Sequence, residues 1–404
     1  MNIKYFGLAV LLLAFTACED DKYEMEIEPP IPVDPGSANF STFVSVGNSL
    51  TAGFSDGALF IESQKAAFPN LLSETFTEVG GGEFTTPFMD DNLGGLLLGG
   101  QQVSGNRLYF DGEGLPNVPG EPSTEISNIK PGPYNNMGVP GAKSFHLLAN
   151  GYGNLAGVPV GLANSYFVRM ASNPNASILE DALAMNPTFF SLWVGSNDVL
   201  GYAYSGGDGT NPITDIGVFD SVYGTIIGAM TAGGAQGIVA NLPNVVDAAY
   251  FNFISFNPLD PSNEAYGPLI PSLNQAYAQL NQAYAALGVP ERSVVFSETE
   301  ASAVVIQDES LENISAQLTQ VLILGGLDPL TAGLLGNQYG QCRQANDGDK
   351  LVLGSSTVIA SVNQEYFDQL VGLGVPPEQA GQLSVYGLTF PLPDNQVLIP
   401  SEIQ

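Results

Sequence analysis

Three short stretches carry residue types suited to acyl transfer. Gly47-Asn48-Ser49-Leu50-Thr51-Ala52-Gly53 places a serine just after Thr42–Val46, an apolar run that reads as a strand. A hydroxyl at a strand-to-helix junction projects from the carboxyl edge of a sheet, and N–H groups at the helix start can receive a developing oxyanion. Taken alone, a serine there is as readily a helix cap. Asn135-Asn136-Met137-Gly138-Val139-Pro140-Gly141-Ala142-Lys143 follows a short strand ending near Met137, and Gly141 would leave its N–H open to a ligand. By itself this stretch is a Gly-Pro turn. Gly195-Ser196-Asn197-Asp198 follows Thr188–Val194, a continuous apolar run of the kind covered on both faces of a parallel sheet. Asn197 can aim a side-chain N–H into the same crevice, or cap a turn. Since each stretch follows a strand, the three converge on one edge of one sheet, where open α/β sheets bind ligands.

Read together, GNSLTAG, GVPGA and GSND resemble, in order, the first three sequence blocks of the SGNH (GDSL-type) family of serine esterases and lipases. The resemblance covers about residues 40–245, and the later tract YGQCRQANDGDKLVLGSSTVIA is similar to lipoprotein members of that family. It implies an α/β, three-layer flavodoxin-like fold with a parallel sheet. Ser49 is implied as the nucleophile, and its own N–H, the Gly141 N–H and the Asn197 side chain as the oxyanion hole. The implied reaction is ester hydrolysis: Ser49 attacks the carbonyl, the three donors hold the tetrahedral oxyanion, and water releases the acyl group. Substrates would be small acyl esters, lipids or acylated polysaccharides; no cofactor or metal is expected.

The chain departs from the family at Asn48, where aspartate is usual, and lacks the Asp-x-x-His motif that supplies the base. Its only histidine is His146, in Ser144-Phe145-His146-Leu147, on the helix expected after the second block and read as a surface or supporting residue. The sequence closes on Ile399-Pro400-Ser401-Glu402-Ile403-Gln404, in which Ser401 and Gln404 have capping-box spacing. A helix start with no helix behind it suggests a C-terminal truncation that removed a last core strand and the base. Activity of such a chain would be poor and its sheet would keep an exposed edge. The alternative is a non-catalytic surface protein that captures glycans or lipids on an inactivated hydrolase fold.

The elements that must hold these motifs alternate short apolar runs with helical periods, the pattern of a parallel α/β sheet. Gly237–Asn241 is a further strand. Ser177 caps a helix through Met185, Gly217–Met230 is helical, and Ser272 caps a helix striped with Leu273, Leu280, Tyr284 and Leu287. Residues 79–133 read as a Gly/Pro-rich insertion. Residues 250–400 form a second insertion, with helical pieces and one strand at Lys350–Leu353. Insertions of this size often wall a substrate site. Gly94–Gly100 lacks the Lys-Ser/Thr of a phosphate loop and is expected to serve packing.

Composition narrows the partners. With 41 acidic and 10 basic residues the formal charge is −31, which repels nucleic acid and gives no basic patch for an anionic membrane. Two cysteines and one histidine exclude a zinc finger or a disulfide framework. The acids at Asp347–Asp349 and in Gly206–Gly209 lack the spacing of an EF-hand loop. Residues 1–17 read as a leader, since the apolar run Phe6–Phe15 is too short to span a bilayer. Thr16-Ala17-Cys18 resembles a bacterial lipobox, which implies lipidation of Cys18 and anchoring to the outer membrane at the cell surface. Residues 18–39, acidic and Pro-rich, read as an extended tether resembling the export signal of surface lipoproteins. The hydrolase domain then occupies 40–404. Cys342 is left without a partner and reads as a structural thiol.

Overall fold

The computed structural model describes residues 34–112 and 114–403. The leader, Cys18 and the tether as far as residue 33 lie outside the described residues, as does Gln404. Ala38–Gln404 form one contact unit and Met1–Ser37 another; the described part of the latter is a turn in which Gly36 N–H donates to Asp34.

Four short strands build the central sheet: β1 (Phe43–Gly47), β2 (Asn136–Gly138), β3 (Phe189–Trp193) and β4 (Gln236–Val239). Their spatial order is β2-β1-β3-β4, and every pairing is parallel. The chain is therefore an α/β protein with a parallel sheet and helices, compatible with a flavodoxin-like arrangement. All five residues of β1 are buried, as a strand covered on both faces requires. The apolar runs hide one polar pair: Ser45 and Ser191 stand opposite one another and share a buried 2.6 Å hydrogen bond, which satisfies both hydroxyls.

Helices α1 (Ser49–Ala52), α2 (Ile178–Ala184), α3 (Ser196–Tyr204) and α4 (Ile216–Thr231) accompany the sheet. Ser177 caps α2 as read from the sequence: its hydroxyl accepts from Glu180 N–H while Glu180 accepts from Ser177 N–H. Ile178, Leu179 and Ala182 of α2, with Ile226 and Met230 of α4, join Val44, Val46, Met137, Phe190 and Leu192 in the sheet core. Strand β4 is one edge of the sheet, and all four of its residues are exposed.

Residues 250–400 hold more than an insertion's worth of structure. Helices α5 (Ile270–Ala286), α6 (Ser315–Leu324) and α7 (Pro329–Tyr339) enclose a second core. Tyr277, Tyr284 and Tyr339 lock it from inside. Tyr277 and Tyr339 share a hydrogen bond of 2.9 Å, and Tyr284 donates to Tyr339 O at 2.7 Å. Ser272 is not the cap of α5: Pro271 lets the helix begin at Ile270, and the Ser272 hydroxyl bonds back to Leu269 O inside the first turn. The strand foreseen at Lys350–Leu353 is shorter, Lys350–Leu351, and pairs antiparallel with Val397–Leu398. That partner strand escaped the sequence reading, as did Val305–Gln307 and Cys342–Gln344, which pair with each other. The last helix spans Pro400–Ile403, and its cap lies earlier than foreseen. Glu402 reaches back to a backbone N–H, that of Ile399, so Ser401 sits inside the helix; Gln404, the other half of the foreseen box, lies outside the described residues.

The 79–133 segment contains a small sheet of Leu96–Leu98, Gln101–Ser104 and Thr124–Glu125. Gly99 and Gly100, both at positive φ, make the two-residue hairpin turn. Their N–H groups bind an internal anion, the Glu125 carboxylate, at 3.1 and 2.9 Å. Those bonds, Gly100's foremost, hold the Glu125 carboxyl at about 2.

Candidate functional site

The site begins where β1 stops. Asn48 is fully buried, and its side-chain oxygen accepts from Leu50 N–H, so it caps α1 and makes Ser49 the first helical residue. Gly47 is required just before it, because a Cβ there would lie 2.1 Å from Thr51 Oγ1 and 2.5 Å from Trp193 O. Gly53, at φ +88°, closes this four-residue helix. Ser49 is half-buried, and neither its hydroxyl nor its N–H has a hydrogen-bond partner among the described residues.

Register brings the other two loops alongside. Gly47 lies opposite Gly138 of β2 on one side and Trp193 of β3 on the other, so all three chains leave the sheet at one level. Cross-loop hydrogen bonds then tie them together. Val139 N–H donates to Gly47 O at 3.0 Å, and Asn136 Nδ2 to Thr51 O at 3.1 Å, joining the first and second loops. Asn197 Nδ2 donates to Ala142 O at 2.9 Å, joining the second and third. The strongest tie is one the sequence reading did not assign. Buried Asp198 receives both the N–H and the hydroxyl of Ser144, at 2.8 and 2.7 Å, a charge-assisted pair shut away from water. Its signal was present in the last residue of GSND.

Gly141 sits exposed at φ +79°, and its N–H is unpartnered among the described residues. Asn197 has spent one amide proton on Ala142 O and retains the other. Two backbone donors and one side-chain donor are thus unspent on the three loops that leave the sheet at this level. Asn48 Nδ2, Thr51 Oγ1, Trp193 Nε1 and Ser196 Oγ, in the same loops and helix starts, are buried and also lack partners among the described residues. Leu50, Phe54, Phe60, Phe68 and Trp193 border an open, mostly apolar depression of about 530 Å³.

His146 belongs to a short 3-10 turn, Ser144–Leu148, where its ring stacks on Tyr152 and meets Phe145 edge-on. Its Nδ1 accepts from Lys143 N–H at 3.0 Å. A neutral imidazole that accepts at Nδ1 carries its proton on Nε2, so neither nitrogen is free to take a proton from a nucleophile. Burial, followed by the nearby Lys143 charge, holds its pKa below the usual histidine range.

Two of the acids weighed for calcium have other partners. Asp349 forms a two-pronged pair with Arg343, and Asp208 caps Thr210. A different trio, Glu309, Asp394 and Glu402, brings one carboxylate oxygen each to within 4.8 Å of the others. Burial and mutual repulsion raise Asp394 to about 6 and Glu402 to about 7. Cys342 is buried, its thiol donates to Gln338 O, and burial pushes its pKa up to about 12, which makes it inert.

Comparison of the chain with protein-family models, with characterised proteins and with solved structures returns no match. Among the described residues no helix is long and apolar enough to cross a membrane.

Proposed function

We propose that this protein is a serine ester hydrolase of the SGNH type, with Ser49 as nucleophile. The Ser49 N–H, the Gly141 N–H and the remaining Asn197 amide proton form the oxyanion hole. The observation that carries this reading is the alignment of three loop starts on one register level, with the two backbone donors left unspent there. In the reaction the Ser49 oxygen bonds to the ester carbonyl carbon while its hydroxyl proton passes to a water molecule, and the carbonyl oxygen takes up negative charge against the three donors. The C–O bond to the alcohol then breaks, the departing alkoxide takes a proton from that water, and a second water hydrolyses the acyl-enzyme, returning the proton to Ser49. Substrates on this reading are acyl esters, lipids or acylated polysaccharides, met by a protein held at the outer membrane through a lipid on Cys18.

Labelling of the full chain with a fluorophosphonate probe tests the nucleophile. The adduct is expected on the peptide containing Ser49 and absent from Ser49→Ala. Equal p-nitrophenyl acetate hydrolysis by the two proteins would remove the proposal. The tautomer of His146 favours a second reading, a non-catalytic surface protein that binds glycan or lipid on an inactivated hydrolase fold. Neither labelling nor turnover above the Ser49→Ala background would select it.

A further inference from the structure

A cavity of about 190 Å³ opens in the second core region, between strand Val305–Gln307, the starts of α6 and Phe390–Pro393, and the end of α7. None of its lining residues belongs to the Ser49 loops. Five side-chain amides line it, those of Gln307, Asn313, Asn337, Gln338 and Gln341. No charged residue does, in a chain with 41 acids.

Three of the amides are held, Asn313 among them, which accepts from Ser315 N–H at 2.9 Å. Gln338 accepts from Tyr366 OH at 2.7 Å and donates to Thr389 O at 2.5 Å, while Gln341 donates to Leu311 O at 2.9 Å and accepts from Asn313. The Gln307 and Asn337 side chains have no hydrogen-bond partner among the described residues, and each offers two donors and an acceptor. The apolar lining is Phe390, held against Tyr366 and Tyr386, with Pro391 and Pro393 after it in the chain.

This combination selects a ligand chemistry. An ion would find no counter-charge, and an apolar group would strand the amides without partners. A hydroxyl donates and accepts, as an amide does, and the C–H face of a pyranose suits an aromatic wall. The volume fits one ring rather than a length of peptide. We propose that this cavity binds a single neutral sugar unit, a hexose or N-acetylhexosamine, of a larger glycan. The proposal goes beyond the esterase reading and does not depend on it.

Saturation-transfer NMR on the full chain tests it, with the methyl glycosides of glucose, galactose, mannose and N-acetylglucosamine as probes at millimolar concentration. At least one glycoside is expected to receive saturation, most strongly at its ring C–H protons. Its affinity should fall about tenfold or more in a Gln307→Ala/Asn337→Ala double variant, and Ser49→Ala should bind like the parent. Both substituted side chains are exposed, and an unchanged melting temperature confirms that the variant folds. Silence from all four glycosides, or equal transfer in the double variant, would overturn the proposal. Transfer to trialanine with the sugars silent would assign the cavity to peptide and overturn it too.

Discussion

Asn197 and Asp198 are neighbours with separable tasks, and substitutions at the two should divide accordingly. Asn197 offers a proton to the site, so Asn197→Ala is expected to slow fluorophosphonate labelling of Ser49 by about 10²-fold, the scale of one oxyanion donor. It should cost little stability, because the lost bond to Ala142 O is half-buried. Asp198 offers nothing to a substrate and instead clamps the Ser144 turn to α3. Asp198→Ala is expected to destabilise the protein by about 2–3 kcal/mol, leaving buried donors without an acceptor. Urea unfolding followed by circular dichroism measures that loss; a midpoint unchanged from the parent would contradict the clamp. Both residues were visible in GSND. The clamp was not, because its partner Ser144 lies 54 residues away and only the packing of two loops brings it near.

Among the elements, glycines separate places where backbone meets backbone from places where nothing does. A Cβ at Gly138 would stand 2.3 Å from Ala52 N, where β2 passes under α1. Gly138→Ala must therefore push α1, and Ser49 with it, away from the second loop. A destabilisation of about 3 kcal/mol or more is expected, together with loss of Ser49 labelling. Gly228 lies on the exposed face of α4, with nothing within 4 Å of a new Cβ. Gly228→Ala should stabilise by about 0.5–1 kcal/mol through helix propensity. Thermal melts of the two variants test this ordering, and a loss at Gly228 equal to that at Gly138 would refute it. Strands β1 and β3 and the α2 cap were legible because run length, apolar content and cap chemistry are local properties. Strands Val305–Gln307 and Cys342–Gln344 were not, because three residues carry no period and their pairing spans about 35 positions.

At the scale of the whole molecule the acid cluster makes stability depend on pH. Glu309, Asp394 and Glu402 meet where the turn Gly206–Gly207 packs on the last residues of the chain, with Tyr202 and Asp208 adding their own oxygens nearby. Asp394 at about 6 and Glu402 at about 7 sit above the ordinary carboxylate values of 3.8 and 4.5, so the folded chain binds protons that the unfolded chain does not. Their contribution is fully present below those unfolded values and is lost as pH rises through the folded ones. The melting temperature is therefore expected to climb as pH falls from about 7.5 to about 5. Below about 4.5 the trend should reverse as groups such as Glu125, held at about 2, lose their hydrogen-bonded carboxylate form. The general charge of −31 also relaxes on acidification, so Glu402→Gln is the control. A slope between pH 7.5 and 5 identical in parent and variant would count against the trio.

The order of the three motifs, the strands before them, the cap of α2 and the acidity were determined by the sequence alone, since each depends on residues within a few positions of one another. Tertiary structure decided the rest. It left the Ser49 and Gly141 N–H groups unspent, turned the His146 proton onto Nε2, gave residues 250–400 a tyrosine-locked core, and gathered the acid trio and the amide cavity from residues up to about 90 positions apart. Such gatherings are set by which surfaces pack together, and packing joins side chains that no local period or spacing links.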